Sequence, residues 1–301
     1  MDFDRLSPSA KDYRWFMSNF DFDRLKERLL GHLKQVVRDR SPGFSSAGHF
    51  FVSYYLQQEL SQWGEAEPFH FTAQGQQHTN WILNLPGTFP NRPPILVGAH
   101  YDTVPGCPGA DDNGTGVAAL LEIARAIKAS PARSPVRLIA FDLEEYGLAG
   151  SRAYARHLYD QRESLRLMLS LEMLGYCDHT PNSQRYPSTA LEQLYPHQGN
   201  FIALIGQRQT IPAMTRLWWS FRAAGARSQW LPVINQGRIV PDTRRSDHAP
   251  FWDLGYPAVM ATDTANLRNP HYHQPTDTLD TLDLDFLTKV CQGLIRGIKA
   301  L

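Results

Sequence analysis

At 301 residues the chain can form one large α/β domain or two small ones. Thirty Lys and Arg balance thirty Asp and Glu, which argues against a basic field for nucleic acid and against an acidic tail, so any charge that matters is local. The start, MDFDRLSPSAKDYRWFM, is acidic and aromatic where a secretory leader is basic and then apolar, and no run approaches the roughly 20 apolar residues of a membrane span. The expectation is a cytoplasmic protein with neither membrane nor nucleic-acid partners. Cys107, Cys177 and Cys291 stand at wide spacings that make neither a CxxC pair nor a disulfide framework, so the thiols read as bystanders.

In FDFDRLKERLLGHLKQVVRD, residues Phe22, Leu25, Leu29, Leu33 and Val36 recur at steps of three or four, the spacing of one helical face. HFFVSYYLQQELSQWG reads as a second helix closed by Gly64. HTNWILNLPG and RPPILVGAH follow as short strands bounded by Gly or Pro. The helix GTGVAALLEIARAIKAS, the strand SPVRLIAFDLEE and the helix GLAGSRAYARHLY continue the alternation. LRLMLSLEMLGY and NFIALIG are further strands, IPAMTRLWWSFRAAG a helix, YPAVMATDT a late strand and LDLDFLTKVCQGLIRGIKAL a closing helix. The stretch Cys177–Gly199 is the one long polar connection, of the kind that often carries function.

Strands apolar through their centres and separated by amphipathic helices imply a sheet covered on both faces. The expected fold class is therefore α/β, a three-layer α/β/α arrangement around a central mixed, largely parallel sheet. With no repeat or linker in view, one domain spanning residues 1–301 is expected, the role of 1–80 left open and the site placed in 81–301.

Four clusters fall at the carboxyl ends of these strands, the edge where open α/β sheets bind ligands. His100, Asp102, Asp111 and Asp112 follow the first apolar strand; Glu144 and Glu145 follow LIAFDL; Glu172 lies inside LMLSLEMLGY; and His271, His273 and Asp277 follow the last strand. Each except Glu172 also suits a plain structural role. A His after a strand suits a loop, ADDNGTG a turn opening a helix, and the Glu pair a solvated helix start. Glu172 is different, because a carboxylate within an apolar strand is costly unless paired, protonated or bound to a cation. Two His and several carboxylates suit zinc, with manganese or cobalt as further options. Five such ligands are too many for one tetrahedral zinc with an open position, but suit two ions sharing a carboxylate and a water between them. Of the two adjacent Glu, one could then be a ligand and the other the base.

Taken in order, GAHYDT, GADDNGTG, EEYGLAGS, SLEMLGY, SDHAPFW and NPHYHQPTDT resemble the di-zinc aminopeptidases of the bacterial leucyl aminopeptidase type, a zinc exopeptidase superfamily that also includes glutaminyl cyclases. The resemblance runs from about Trp81 to Leu301 and implies the phosphorylase/hydrolase-like fold of that superfamily. Carried over position by position, it implies His100 and Glu172 on one zinc, Glu145 and His273 on the other, and Asp112 bridging both. Glu144 becomes the general base for a metal-bridging water, Asp102 the residue that orients His100, and a non-proline cis peptide is implied after Asp112. Asp111 is left to the turn. The activity implied is removal of the N-terminal residue from peptides with a free N-terminus. A single-zinc glutaminyl-peptide cyclotransferase, and less so a non-catalytic binding protein, are the alternatives.

Two positions depart from the resemblance. Many members have Asp where Glu172 stands, and the best-known members have Tyr at Thr243, where its hydroxyl helps stabilise the tetrahedral intermediate; Arg244 and Arg245 follow here, and either an Arg or another donor supplies the help instead. Phe251 and Trp252 are expected to pack within a short helix, with a side-chain pocket as the other reading.

Overall fold

The computed structural model describes residues 22–301, so the aromatic lead-in lies outside the described residues. Helix α1 (Phe22–Val36) buries Leu25, Leu29, Leu33 and Val36 along one face, as the spacing predicts. Each of these side chains contributes roughly 1.5–3 kcal/mol when withdrawn from water. Helix α2 (Ser46–Ser61) buries Val52, Leu56 and Leu60 and leaves Phe50 and Tyr54 outward.

A hairpin follows, β1 (Ala66–Ala73) with β2 (Gln76–Leu85), and then β3 (Ile95–His100), α3 (Gly116–Ala129), β4 (Val136–Phe141), α4 (Ala149–Asp160) and β5 (Leu167–Glu172). The second half runs α5 (Thr189–Leu194), β6 (Ile202–Gln207), α6 (Ile211–Ala223), β7 (Ser228–Val233), α7 (His248–Asp253), β8 (Ala258–Thr262) and α8 (Leu284–Ala300). Two strands escape the sequence pattern. Strand β1, AEPFHFTA, is an exposed edge with Pro68 and one fully covered position, Phe71; β7, SQWLPV, is the opposite edge and carries Pro232. Edge strands tolerate proline and lack the alternation that marks a strand by eye. Helix α5 lies inside the long polar connection and buries nothing.

The eight strands form one sheet in the order β1-β2-β4-β3-β5-β8-β6-β7. Its middle, β4-β3-β5-β8, is parallel, β6 and β7 are parallel to each other, and the joins β1-β2, β2-β4 and β6-β8 are antiparallel. The period of two sorts the middle strands. Ile95, Val97, Ala99, Val136, Leu138 and Ala140 enter the core shared with α1, α2, α3, α6 and α8, while Leu96, Ile139 and Phe141 enter the core with α4 and α7. Helices thus cover both faces, in the expected three-layer α/β/α arrangement. Phe251 and Trp252 are fully buried in the second core, and the Trp252 indole donates to the Ala258 carbonyl at 2.9 Å, so packing is their observed role.

Candidate metal centre

Parallel strands that end together deliver their next residues to one edge. His100 closes β3, Glu172 closes β5, Glu144 and Glu145 follow β4 by three and four residues, and His273 lies on the turn after β8. All are brought together. His100, Glu144 and Glu172 place one ligand atom each within 4.8 Å of one another, and so do Asp112, Glu145 and His273. Asp112 joins the two triads: one carboxylate oxygen is 3.3 Å from His100 Nε2, the other 3.2 Å from His273 Nε2.

These contacts are not hydrogen bonds. His100 Nε2, His273 Nε2 and Glu145 Oε1 are buried without a hydrogen-bond partner. Close approach without donor-to-acceptor alignment is what converging lone pairs produce, and burying such atoms unpaired is expensive unless a cation collects them. The donor set of imidazole and carboxylate fits zinc. His100 Nδ1 lies 3.3 Å from the Asp102 backbone carbonyl and 3.5 Å from its carboxylate, so the ring proton belongs on Nδ1 and the Nε2 lone pair faces the acids.

The acids are held by their own backbones. Asp102 accepts the N–H of Glu144 at 3.0 Å and of Glu145 at 3.2 Å, fixing the turn that carries both. Its contribution to His100 is thus mainly through the backbone carbonyl, while its side chain clamps the paired Glu. Asp277 does the same for the other acid pair, accepting the N–H of Asp111 at 2.9 Å and of Asp112 at 3.0 Å. The hydroxyl of Ser246 donates to Glu172 at 2.6 Å. Asp111 is more than a turn residue: it is fully buried and accepts the Gly175 N–H and the Asn269 amide, tying the β5 and β8 loops together. The Asp112–Asn113 peptide is cis, as the resemblance implied. Gly109, at φ +62°, precedes this turn, and a β-carbon there would collide with the Asp112 carbonyl.

Electrostatics follow burial. Glu144 is held well above the usual carboxylate range by burial, with His100 opposing and the charges of Glu172 and Glu145 adding. Burial, then Asp112, pushes Glu145 up to about 7. Asp112 is depressed: burial opposes this, but the nearness of His100 and His273 prevails. His273, against its own burial, is raised to about 10 by Asp112 and Glu145.

Arg40 had no signal in the sequence. Fully buried, its guanidinium donates to the carbonyls of Val36, Arg38, Tyr101, Pro108, Gly109 and Asp112, gathering the loop that bears His100, Asp102 and Asp112. Asp277 stands among the clustered candidates, and Ser246 could have been found, since it lies inside a quoted motif.

Of the residues near the tyrosine departure, Thr243 is buried and donates to the Gly237 and Val240 carbonyls. Arg244 is held by both oxygens of Asp253 and by the Gln236 carbonyl. Arg245 instead lines a cleft with Glu172 and Tyr272, and donates to the Tyr272 hydroxyl at 3.0 Å. Tyr272 stacks on His273 with ring centroids 3.8 Å apart. Through Ile205, Thr264 and Leu267 the cleft adjoins an apolar pocket walled by Tyr186, Leu191, Tyr195, Phe201 and Trp230. Three of those wall residues come from the Cys177–Gly199 connection.

Two acid–imidazole triads sharing a carboxylate, at the carboxyl edge of a mixed α/β sheet, define a candidate metallohydrolase. Residues 80–296 match peptidase family M28, and the chain belongs to that family. The uncharacterized protein YfbL of Escherichia coli (strain K12) is 39% identical over 215 residues, covering 67% of this chain and 65% of YfbL. Aminopeptidase YwaD of Bacillus subtilis (strain 168) is 30% identical over 198 residues, covering 64% of this chain and 38% of YwaD. The chain thus spans less than two thirds of either relative. Among solved structures, LapA of Legionella pneumophila superposes with a TM-score of 0.71 at 19% identity, over 97% of this chain and 76% of LapA. A Bacteroides thetaiotaomicron glutaminyl cyclase gives 0.65 at 19%, over 94% and 98%. BSAP, a zinc aminopeptidase from Bacillus subtilis, gives 0.53 at 26%, over 75% and 50%. At 19% identity, the first two likenesses are of fold. No helix among the described residues is long and apolar enough to cross a membrane.

Proposed function

We propose that the chain is a zinc-dependent aminopeptidase that hydrolyses the N-terminal residue of peptides. The observation that carries this reading is Asp112, which offers one oxygen to each triad. His100 and Glu172 would hold one ion, Glu145 and His273 the second, and Asp112 both. Two zinc ions bound there would supply polarisation of the scissile carbonyl and a water made nucleophilic at neutral pH.

The protein's own groups do the rest. Glu144 takes a proton from the attacking water and delivers it to the leaving amine, a role suited to a carboxylate beside His100 and Glu172 that the two-ion arrangement does not need as a ligand. Arg245 and Tyr272 are the donors in the cleft beside Glu172, and we assign them the developing oxyanion. The apolar pocket beyond receives a large apolar N-terminal side chain, and the carboxylates near His273 receive the free α-amine. We read residues 1–301 as one working unit, because Arg40 supports the site from outside the core that carries the ligands. The three cysteines are unbonded, which suits a reducing, cytoplasmic setting.

Cyclisation of N-terminal glutamine with one zinc is the second reading, drawn from the fold shared with the cyclase. The complete second triad of Asp112, Glu145 and His273 favours the peptidase. Incubating zinc-loaded protein with N-terminally varied peptides and identifying products by mass decides between them. Release of a free amino acid is expected; pyroglutamate alone, or no product, overturns the proposal.

A further inference from the structure

We propose a separate metal site at Cys177, His179 and Asp283, taking one thiophilic divalent cation of the zinc class. It uses none of the residues of the carboxylate-rich centre. The three side chains present ligand atoms that all lie within 4.8 Å of one another, from the segment after β5 and from the start of α8.

The spacing suits tetrahedral zinc. With zinc–sulfur and zinc–nitrogen bonds of about 2.3 and 2.0 Å, two ligands of one tetrahedral ion stand about 3.5 Å apart. Cys177 Sγ and His179 Nε2 are 3.5 Å apart. Asp283 caps α8 by accepting the Phe286 N–H at 2.9 Å through Oδ1, which leaves Oδ2 for a cation. The neighbouring Asp178 is turned away, accepting both the N–H and the hydroxyl of Thr180. His179 is exposed and provides the approach from solvent, and three protein ligands leave a fourth position for water. One thiolate and one carboxylate balance a divalent charge, which offsets the unfavourable placement of a cation at a helix amino terminus.

The scaffold around these residues is already joined. The Asp283 N–H donates to the Gly175 carbonyl at 2.9 Å, the Asp178 N–H to the Gly199 carbonyl at 2.8 Å, and the Gln198 amide to the His179 carbonyl. Asn200 Nδ2 lies 3.4 Å from His179 Nδ1. Coordination through Nε2 puts the ring proton on Nδ1, so the Asn200 amide must turn its oxygen to it. As the metal–sulfur bond forms, the cation displaces the thiol proton to solvent. A cation here pins the base of the connection that supplies Tyr186, Leu191 and Tyr195 to the pocket, and so couples metal supply to the shape of the substrate wall.

Sulfur makes the site separately observable, because the other centre has none. Titrating the full chain with cobalt(II) under reducing, oxygen-free conditions is expected to give a thiolate-to-cobalt charge-transfer band in the near ultraviolet, with a final amplitude of one thiolate–cobalt bond per chain and bleached by zinc. The band is expected to vanish in Cys177→Ser and to need at least tenfold more cobalt in His179→Ala and Asp283→Asn, with melting curves of the metal-free variants near wild type. Absence of the band in the wild-type chain overturns the proposal, as does a band that survives Cys177→Ser or is unmoved by both other substitutions. Peptide turnover is not read, so the outcome is independent of the aminopeptidase proposal.

Discussion

Asp102 accepts the backbone N–H of Glu144 at 3.0 Å, and that bond, together with its twin to Glu145, sets where the two acids point. Asp102→Asn removes the charge that draws both N–H groups while keeping the shape. A fall of about 10–100-fold in zinc affinity or in kcat is expected, the range for residues that support ligands. Zinc competition with a chelating dye and steady-state kinetics check it.

Glu144 and Glu145 are neighbours with separable tasks. Glu144→Gln is expected to keep its zinc content and lose about 10²–10⁴ in kcat, the usual worth of a positioned proton carrier. Glu145→Gln is expected to lose one equivalent of zinc. Metal analysis of the two purified variants, read beside turnover, decides the assignment; a fully active Glu144→Gln rules Glu144 out as the base.

Tyr272→Phe and Arg245→Met test the oxyanion assignment. Each is expected to lower kcat by about 10²-fold with KM little changed, in keeping with loss of one transition-state donor. Affinity for a phosphonate analogue of the tetrahedral intermediate falls in parallel, and an unchanged affinity would reassign the role.

His248 gives stability a pH dependence. It is fully buried, its Nε2 donates to the Thr243 carbonyl at 2.8 Å, and burial lowers its pKa from 6.5 to about 4. A folded-state pKa below the unfolded one contributes stability that is present above pH 6.5 and lost as pH falls toward 4. The full loss is roughly 3 kcal/mol. Urea midpoints of wild type and His248→Gln between pH 8 and 4 should converge as the medium is acidified; parallel curves would show that His248 does not titrate between the two states.

The sequence carried the middle of the fold and the candidate ligands for the same reason. Strands such as LIAFDLEE are apolar where both faces are covered and acidic where they reach the carboxyl edge, so one pattern shows both the strand and its chemistry. Edge strands β1 and β7, each interrupted by proline and half-exposed, carry neither signal. Of the supporting groups, Asp102 and Asp277 were legible as clustered acids, their contacts not, and Ser246 only as a letter within a motif. Asp277 and Ser246 act through a backbone N–H and a hydroxyl, contacts that depend on loops meeting across long sequence separations. Arg40 was beyond reach, because six carbonyls leave no mark in side-chain identity.

Arg40 also separates two kinds of boundary. The stretch matched to the family begins at residue 80, yet the guanidinium that draws together Tyr101, Gly109 and Asp112 is forty positions upstream, four residues beyond a helix whose Leu25, Leu29 and Leu33 are sealed in the core. A fragment cut to residues 80–296 would inherit every proposed ligand and lose the knot that shapes their loop.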